Sequence, residues 1–270
     1  MPPEPTASAA AHESSGSQAV QRALALLQSF AESPQDLSAS ELARRNGLAL
    51  STAHRILKVL TSMAYLEQDP RSARYRLGPS TAELGRLAFH RRGLHRAEPE
   101  LAELSARTGA TADLAVRVGG HALILAGGSL DQEGTRGLRR PVHSTALGKV
   151  LLAWGGEQPD LEDLPLPPLT RRTITDPQDL RDELARVREA GFALNEGESA
   201  SGVRTVAVPV LDAAGRARFA LALRSSPAAM ASERLGWFAE QAAACATALE
   251  VLLIPPGERR IGPRPAIALP

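Results

Sequence analysis

Residues 38–60 read SASELARRNGLALSTAHRILKVL. Ser38 and Glu41 have the spacing of a capping box, in which each side chain satisfies the other residue's free backbone N–H. The pattern opens a short helix through Asn46, with Leu42 and Ala43 inward. Gly47 follows where a positive φ costs little, and Leu48 can plug the core at the turn. A second helix begins at Ser51 or the residue before it and runs to Ser62. Its inward residues are Ala53, Ile56, Leu57 and Leu60, at helical spacing. Ser51, Thr52, His54, Arg55 and Lys58 are left outward. Two helices joined by a short glycine-containing turn, the second polar on its free face, predict a helix-turn-helix over about 38–60. The outward set suits DNA. Short hydroxyls at a helix N-terminus bond phosphate oxygens, and the helix dipole favours an anion there. The planar fork of Arg55 fits guanine O6 and N7 in the major groove. Lys58, one turn later, suits a phosphate. His54 alone reads as a surface or phosphate contact, since no second histidine stands at metal-ligand spacing.

Upstream, Val20, Ala23, Leu24, Leu27 and Phe30 are spaced as one face of a helix, and Pro34 helps to end it. Downstream, Tyr65–Gln68 and Arg74–Leu77 predict two short strands around a turn at Asp69–Ala73. A hairpin directly after a recognition helix is a wing, from which Arg71, Arg74 and Arg76 would grip the DNA backbone or enter the minor groove. A small helical bundle that binds protein is the bland alternative.

Charge supports the first reading. The 270 residues carry 31 Lys+Arg and 30 Asp+Glu, but Ser17–Arg96 holds 12 basic and 6 acidic residues, whereas Ala97–Glu250 holds 16 and 21. A basic segment beside an acidic remainder suggests a polyanion-binding module attached to something else. The 43% hydrophobic content builds a packed core and argues against global disorder. One cysteine, Cys245, excludes an intrachain disulfide and a Cys-based zinc cluster. No apolar run approaches the roughly 18–20 residues that cross a bilayer, and Met1–Gly16 lacks a leader's charged and apolar regions. The expectation is a soluble, cytoplasmic protein with no membrane partner. Residues 1–16 and the proline-rich 255–270 read as disordered tails.

Beyond Arg92 helices and strands mix. Helices are expected at Glu98–Arg107, His143–Trp154, Asp176–Ala190 and along the final stripe Leu235, Phe238, Ala242, Cys245, Leu249 and Leu252. Strands flank Gly119-Gly120, and Val203–Leu211 with Arg216–Arg224 forms a hairpin. This is an α/β or α+β layering. In that hairpin Phe219, Leu221 and Leu223 share one face, whereas Ala220, Ala222 and Arg224 share the other with Thr205 and Ala207. Small residues there leave volume for a ligand or for a closely packed helix. Cys245, on an apolar stripe, reads as an inert thiol. Ser144, His143 and Asp113 lack the spacing and the G-x-S-x-G elbow of a hydrolase, and Gly148-Lys149 lacks a phosphate loop's glycines. No catalytic residue, metal site or cofactor is expected.

The runs Val20–Leu27, Ser40–Leu48, Ser51–Leu57 and Tyr75–Gly78, followed by Arg140–Lys149, Leu169–Ile174 and Gly202–Arg204 leading to Ala207–Val210, resemble the IclR family of bacterial transcription regulators. The resemblance covers about Ser17 to Leu253. It implies a winged helix-turn-helix (residues 17–78), a connector helix (79–93) and a GAF/profilin-like effector-binding domain (94–254). It implies a homodimer or homotetramer on a partly palindromic double-stranded DNA operator, repressing or activating under control of a small organic effector, a carboxylate or an aromatic compound. The effector site it implies takes Ala146, Leu147, Asn195, Thr205, Ala222 and Arg224. Members that bind small oxo-acids look more polar there, with an acid at the position of Asn195 and hydroxyls at those of Ala222 and Arg224. The rivals are a sensory or metabolic enzyme with a protein-binding N-terminal domain and a non-specific DNA-coating protein.

Overall fold

The computed structural model describes residues 7–33, 35–129, 138–156 and 161–268, with side chains from Gly16 onward. They form two compact units that divide between Ala88 and Phe89.

The first unit contains α1 (Ala7–Gln28), α2 (Ala39–Arg45), α3 (Leu50–Ser62), β1 (Leu66–Gln68), β2 (Tyr75–Leu77) and the start of α4 (Pro79–Arg91). Helix α1 begins at Ala7, inside the stretch expected to be a tail. Alanine, the best helix former, is frequent there. Its buried face also differs from the expected one. Phe30 enters the core as expected and Leu27 packs against it, but Leu26 joins them where Val20 and Leu24 were expected, and those two are exposed. The helix carries two apolar stripes, and the pair at 26 and 30, one turn apart, is the one that meets Leu42, Leu57 and Leu60. Ala53, Leu57 and Leu60 of α3 are buried as expected, with Ile56 only half-buried.

Local chemistry fixes the turn. Ser38 Oγ accepts the Glu41 amide at 3.2 Å, and Glu41 Oε2 accepts the Ser38 amide at 2.8 Å. Gly47 takes φ +60°. Hydrogen bonds from Ser38 to the Glu41 carboxylate, aided by Arg74, pull its pKa down to about 2. A carboxyl depressed in the folded state stabilises above its unfolded pKa and loses that contribution as pH falls toward the folded value. The cap therefore weakens in acid, between about pH 4.5 and 2. Ser38→Ala removes the hydroxyl acceptor and is expected to cost about 1 kcal/mol, read as an earlier urea midpoint at unchanged m. The wing is three-stranded in effect, because Leu37 pairs with Tyr75 through backbone bonds of 3.0 and 2.8 Å.

The second unit orders α5 (Glu98–Thr108), β3 (Thr111–Val118), β4 (His121–Gly127), β5 (Arg139–Pro141), α6 (Ala146–Ala153), α7 (Pro177–Ala190), β6 (Ala193–Glu196), β7 (Arg204–Leu211), β8 (Ala217–Ser225) and α8 (Leu235–Leu253). The strands form one antiparallel sheet in the order β5-β4-β3-β8-β7-β6. Val206, Val208, Phe219, Leu221 and Leu223 pack on α5 and α8. The opposite face, with Ala193, Ala207, Ala220 and Ala222, packs on α6 and α7. This is the α+β layering expected of a GAF/profilin-like domain.

Three expectations are corrected. The helix expected at His143–Trp154 starts only at Ala146, because Thr145 is extended and caps it, its hydroxyl accepting the Gly148 amide at 3.2 Å. Strands β5 and β6 were not anticipated; at three and four residues they are too short to show a period. The proline-rich C-terminal stretch, expected to be disordered, is laid along this unit. Ala213 donates to the Glu258 carbonyl at 2.7 Å, Arg264 binds Glu250, and Ala268 donates to the Ala190 carbonyl at 3.0 Å. Prolines prevent a helix but not an extended path held by backbone bonds and arginines.

Candidate functional site

On the first unit, α3 turns Ser51, His54, Arg55 and Lys58 to solvent, with Thr52 half-buried. Ala49, the residue before α3, supplies no side-chain cap. The first amides of the helix therefore keep their donor capacity. Leu50 sits beside them about half exposed, an apolar group on the outward face that polarity alone did not single out.

The wing arginines divide. Arg71 is exposed at the tip, where Asp69 Oδ1 accepts the amides of Arg71 and Ser72, each at 2.8 Å. Those bonds hold the Asp69 carboxyl below its usual range. Arg76 is exposed and pairs with Glu67 at 2.8 Å. Arg74, expected to grip DNA, is also bonded within its own unit: it donates to Glu41 Oε2 at 2.7 Å and to the Asp36 carbonyl at 2.8 Å. Glu41 and Asp36 lie far from it in sequence, so spacing gave no sign of the pairing.

In the second unit a cavity of about 60 Å3 lies against the alanine face at the start of α6. Ala146, Leu147, Asn195, Thr205, Ala222 and Arg224, the six residues implied by family resemblance, all line it. Strand register gathers them. Asn195 pairs with Thr205 and Thr205 with Arg224, while Ala207 pairs with Ala222 and Ala222 with Asp113. The alanines therefore serve both readings offered by the sequence. Helix α6 packs closely on Ala207 and Ala220, and the space beyond its first turn stays open.

The structure adds Asp113, Ser129, Arg140, Thr145 and Ser199 to the lining. Asp113 is buried; its oxygens accept the Ser129 amide at 2.9 Å and hydroxyl at 2.6 Å, and Arg224 donates to the same hydroxyl at 3.1 Å. A Cβ at residue 127 would sit 2.9 Å from Asp113 Oδ1, so Gly127 gives that carboxylate its room. Asn195 accepts the Glu198 amide at 2.9 Å and donates to Ser199 at 2.7 Å.

Behind that wall, the fully buried Lys149 donates to Glu183 at 2.8 Å, Glu198 at 2.7 Å and the Leu194 carbonyl at 3.0 Å. Burial raises the Glu198 pKa despite the lysine. For Glu183 burial works the same way, but Lys149 and Arg186 outweigh it and the net shift is downward. The two directions differ because Arg186 reaches only Glu183.

His143, Ser144 and Asp113 do not form a relay. The His143 ring bonds the Pro167 carbonyl at 3.1 Å, burial lowers its pKa, and Asp113 engages Ser129. Burial pushes the Cys245 thiol up to about 12, which suppresses the thiolate a nucleophile requires. Among the described residues no group of three or more His, Cys, Asp or Glu could hold a metal ion, and no helix is long and apolar enough to cross a membrane.

Residues 19–70 match the family model of the IclR helix-turn-helix domain, and residues 89–251 match that of the bacterial transcriptional regulator IclR C-terminal domain. The chain belongs to the IclR family. It is 36% identical over 232 residues to the HTH-type transcriptional regulator XynR of Escherichia coli K12, covering 83% of this chain and 92% of XynR. It is 33% identical to the DNA-binding transcriptional repressor YiaJ of the same organism, over 78% of this chain and 79% of YiaJ. Among solved structures, an IclR homologue from Microbacterium hydrocarbonoxydans complexed with 4-hydroxybenzoate is 26% identical, with a TM-score of 0.69 over 87% of this chain and 98% of that one. This IclR-family member is a DNA-binding transcription regulator.

Proposed function

We infer that α3 enters the major groove of an operator, with Arg55 on a base edge and Ser51, Thr52, Lys58 and the first amides of the helix on phosphates. Arg71 and Arg76 of the wing extend the backbone contacts. The observation that carries this reading is the outward presentation of Ser51, His54, Arg55 and Lys58 from a helix whose other face buries Ala53, Leu57 and Leu60. Arg74 has a different part. By tying the wing to the capping box it holds the wing at a fixed angle to α2.

The cavity at the start of α6 is the effector site, and its occupation alters operator affinity. The homologue with 4-hydroxybenzoate shows a small organic molecule bound in that protein. The connector supports a homo-oligomer. All thirteen residues of α4 escape full burial, and Leu84 and Leu87 are exposed. An isolated helix of that length is marginal in water. A second copy packed on that stripe supplies the missing burial and pairs two recognition helices on half-sites about one turn, ~34 Å, apart.

A gel shift on DNA from beside the gene, with light scattering on the same preparation, tests the reading. The expected result is a dimer or larger assembly that retards this DNA with affinity falling steeply as salt rises, and that prefers it over random DNA. No retardation favours the enzyme with a protein-binding domain. Equal protection of random DNA favours the coating protein.

A further inference from the structure

Strand β6 covers β7 only from Arg204 to Ala207. Beyond it β7 runs on to Leu211, with no strand on that side among the described residues. An open strand edge is a template for another chain. Here the C-terminal segment, residues 255–268, closes it. That segment lies past the residues 89–251 that match the family model.

The closure is specific. Arg264 donates to the Pro209 carbonyl and to Glu250 of α8, and Glu250 Oε1 also accepts the Leu211 amide at 3.0 Å. Pro209 itself brings no amide to the edge. Nearer the hairpin turn Arg259 forms an antiparallel bridge with Asp212, the Ala213 amide donates to the Glu258 carbonyl at 2.7 Å, and Arg218 binds the Glu258 carboxylate at 2.8 Å. At the far end Ala268 donates to the Ala190 carbonyl at 3.0 Å, and Ile267 packs against the apolar layer of α5 and α8. A Cβ at residue 191 would collide with the Ala266 carbonyl, so Gly191 leaves the segment room to pass.

The hold is nevertheless peripheral. No residue from 255 to 268 is fully buried. A segment tied by polar contacts, with little buried apolar area, opens locally at a free energy well below that of global unfolding. Pro255 and Pro256 follow directly on the buried Ile254. They cannot continue α8 and favour an extended direction, so they form a pivot.

We propose that this strap is exchangeable: residues 255–268 of one copy of this chain take the seat along the β7 edge of a second copy. The occupant fits because the identical segment already fills the seat in its own chain. Exchange replaces each contact with its equal, and two copies that trade straps close a two-fold pair. This association surface is separate from the exposed stripe of α4.

The test mixes two separately tagged full chains, one Ala268→Cys and one Ala190→Cys, under mild oxidation. The backbone bond between these residues brings them within the roughly 4.4–6.8 Å Cα separation that a disulfide spans. A chain carrying both substitutions, oxidised when dilute, should close on itself and so checks the geometry. Cys245 is buried and stays out of the reaction. The expected product is a disulfide between the two tagged forms, in excess of those within either form and rising with concentration. Arg264→Gln then gives opposite results in the two partners. Placed in the Ala268→Cys chain it weakens the incoming strap and should lower the yield severalfold. Placed in the Ala190→Cys chain it weakens the competing strap and should raise the yield. Random collision would give no such opposition. A synthetic peptide of residues 255–268, carrying a fluorophore, supplies an independent reading. It should bind the Arg264→Gln chain more tightly than the parent. No mixed disulfide from chains whose double variant closes overturns the proposal, as does a peptide that binds neither chain at about 1 mM.

Discussion

Arg55→Ala is expected to weaken operator binding by about 1–3 kcal/mol and to relax the base preference at a single position of each half-site. The cause is geometric. Arg55 stands exposed on α3, one turn beyond the first amides of the helix, where a planar guanidinium reaches a guanine edge. Its side chain is outside the core, so unfolding by urea should be unchanged. Lys58→Ala should behave differently, weakening all DNA sequences about equally and lowering the salt slope by about one. The two variants thus separate a base contact from a phosphate contact in one set of gel shifts. Full-strength, fully specific binding by the Arg55 variant would remove α3 from the groove.

Lys149→Met is expected to destabilise the second unit by about 3 kcal/mol, the low end of the range for breaking a buried ion pair. The low end applies because Glu183 is 19% exposed and keeps Arg186, whereas Glu198 is left with its charge uncompensated. Glu198 already has a raised pKa from burial, and losing the lysine raises it further. A carboxyl raised in the folded state favours folding once it is protonated, so the sign reverses relative to Glu41. The variant should recover more stability than the parent chain as the pH falls from neutral toward the acid side of the usual carboxylate range, because its Glu198 shift is the larger. Thermal unfolding across that window decides it. A loss independent of pH would mean that the methionine's packing, and not the stranded carboxylate, is responsible.

The same lysine explains why part of the lining of the cavity at the start of α6 could not be read from the sequence. Lys149 lies 34 residues from Glu183 and 49 from Glu198, and the three meet only after α6, α7 and β6 have packed. Glu198 then places its amide on Asn195, and Asn195 places Ser199 on the cavity wall. Asp113 was considered in the sequence only as a member of a hydrolytic set. It became part of the cavity because β3 pairs with β8 so that Asp113 lies beside Ala222. Ser129 and Arg140 joined through the path of β4 and β5, and β5 was too short to leave a pattern. The six residues that were named came from family resemblance, while the alanine face by itself allowed a helix or a ligand, and the fold contains α6 there with space beyond its first turn.

The helix-turn-helix was set by the sequence alone. Its determinants are local: a cap whose two residues are three apart, a glycine at a positive φ, and apolar positions repeating within two turns of helix. Such interactions form between neighbours in the chain, so they are written in consecutive residues. The pairing of Arg74, the choice of Leu26 over Leu24 for the core, the ordered C-terminal stretch and the place of Asp113 in the cavity lining depended on tertiary structure. Each depends on which distant groups come within a few ångströms, and hydrogen bonds and ion pairs act only at that range.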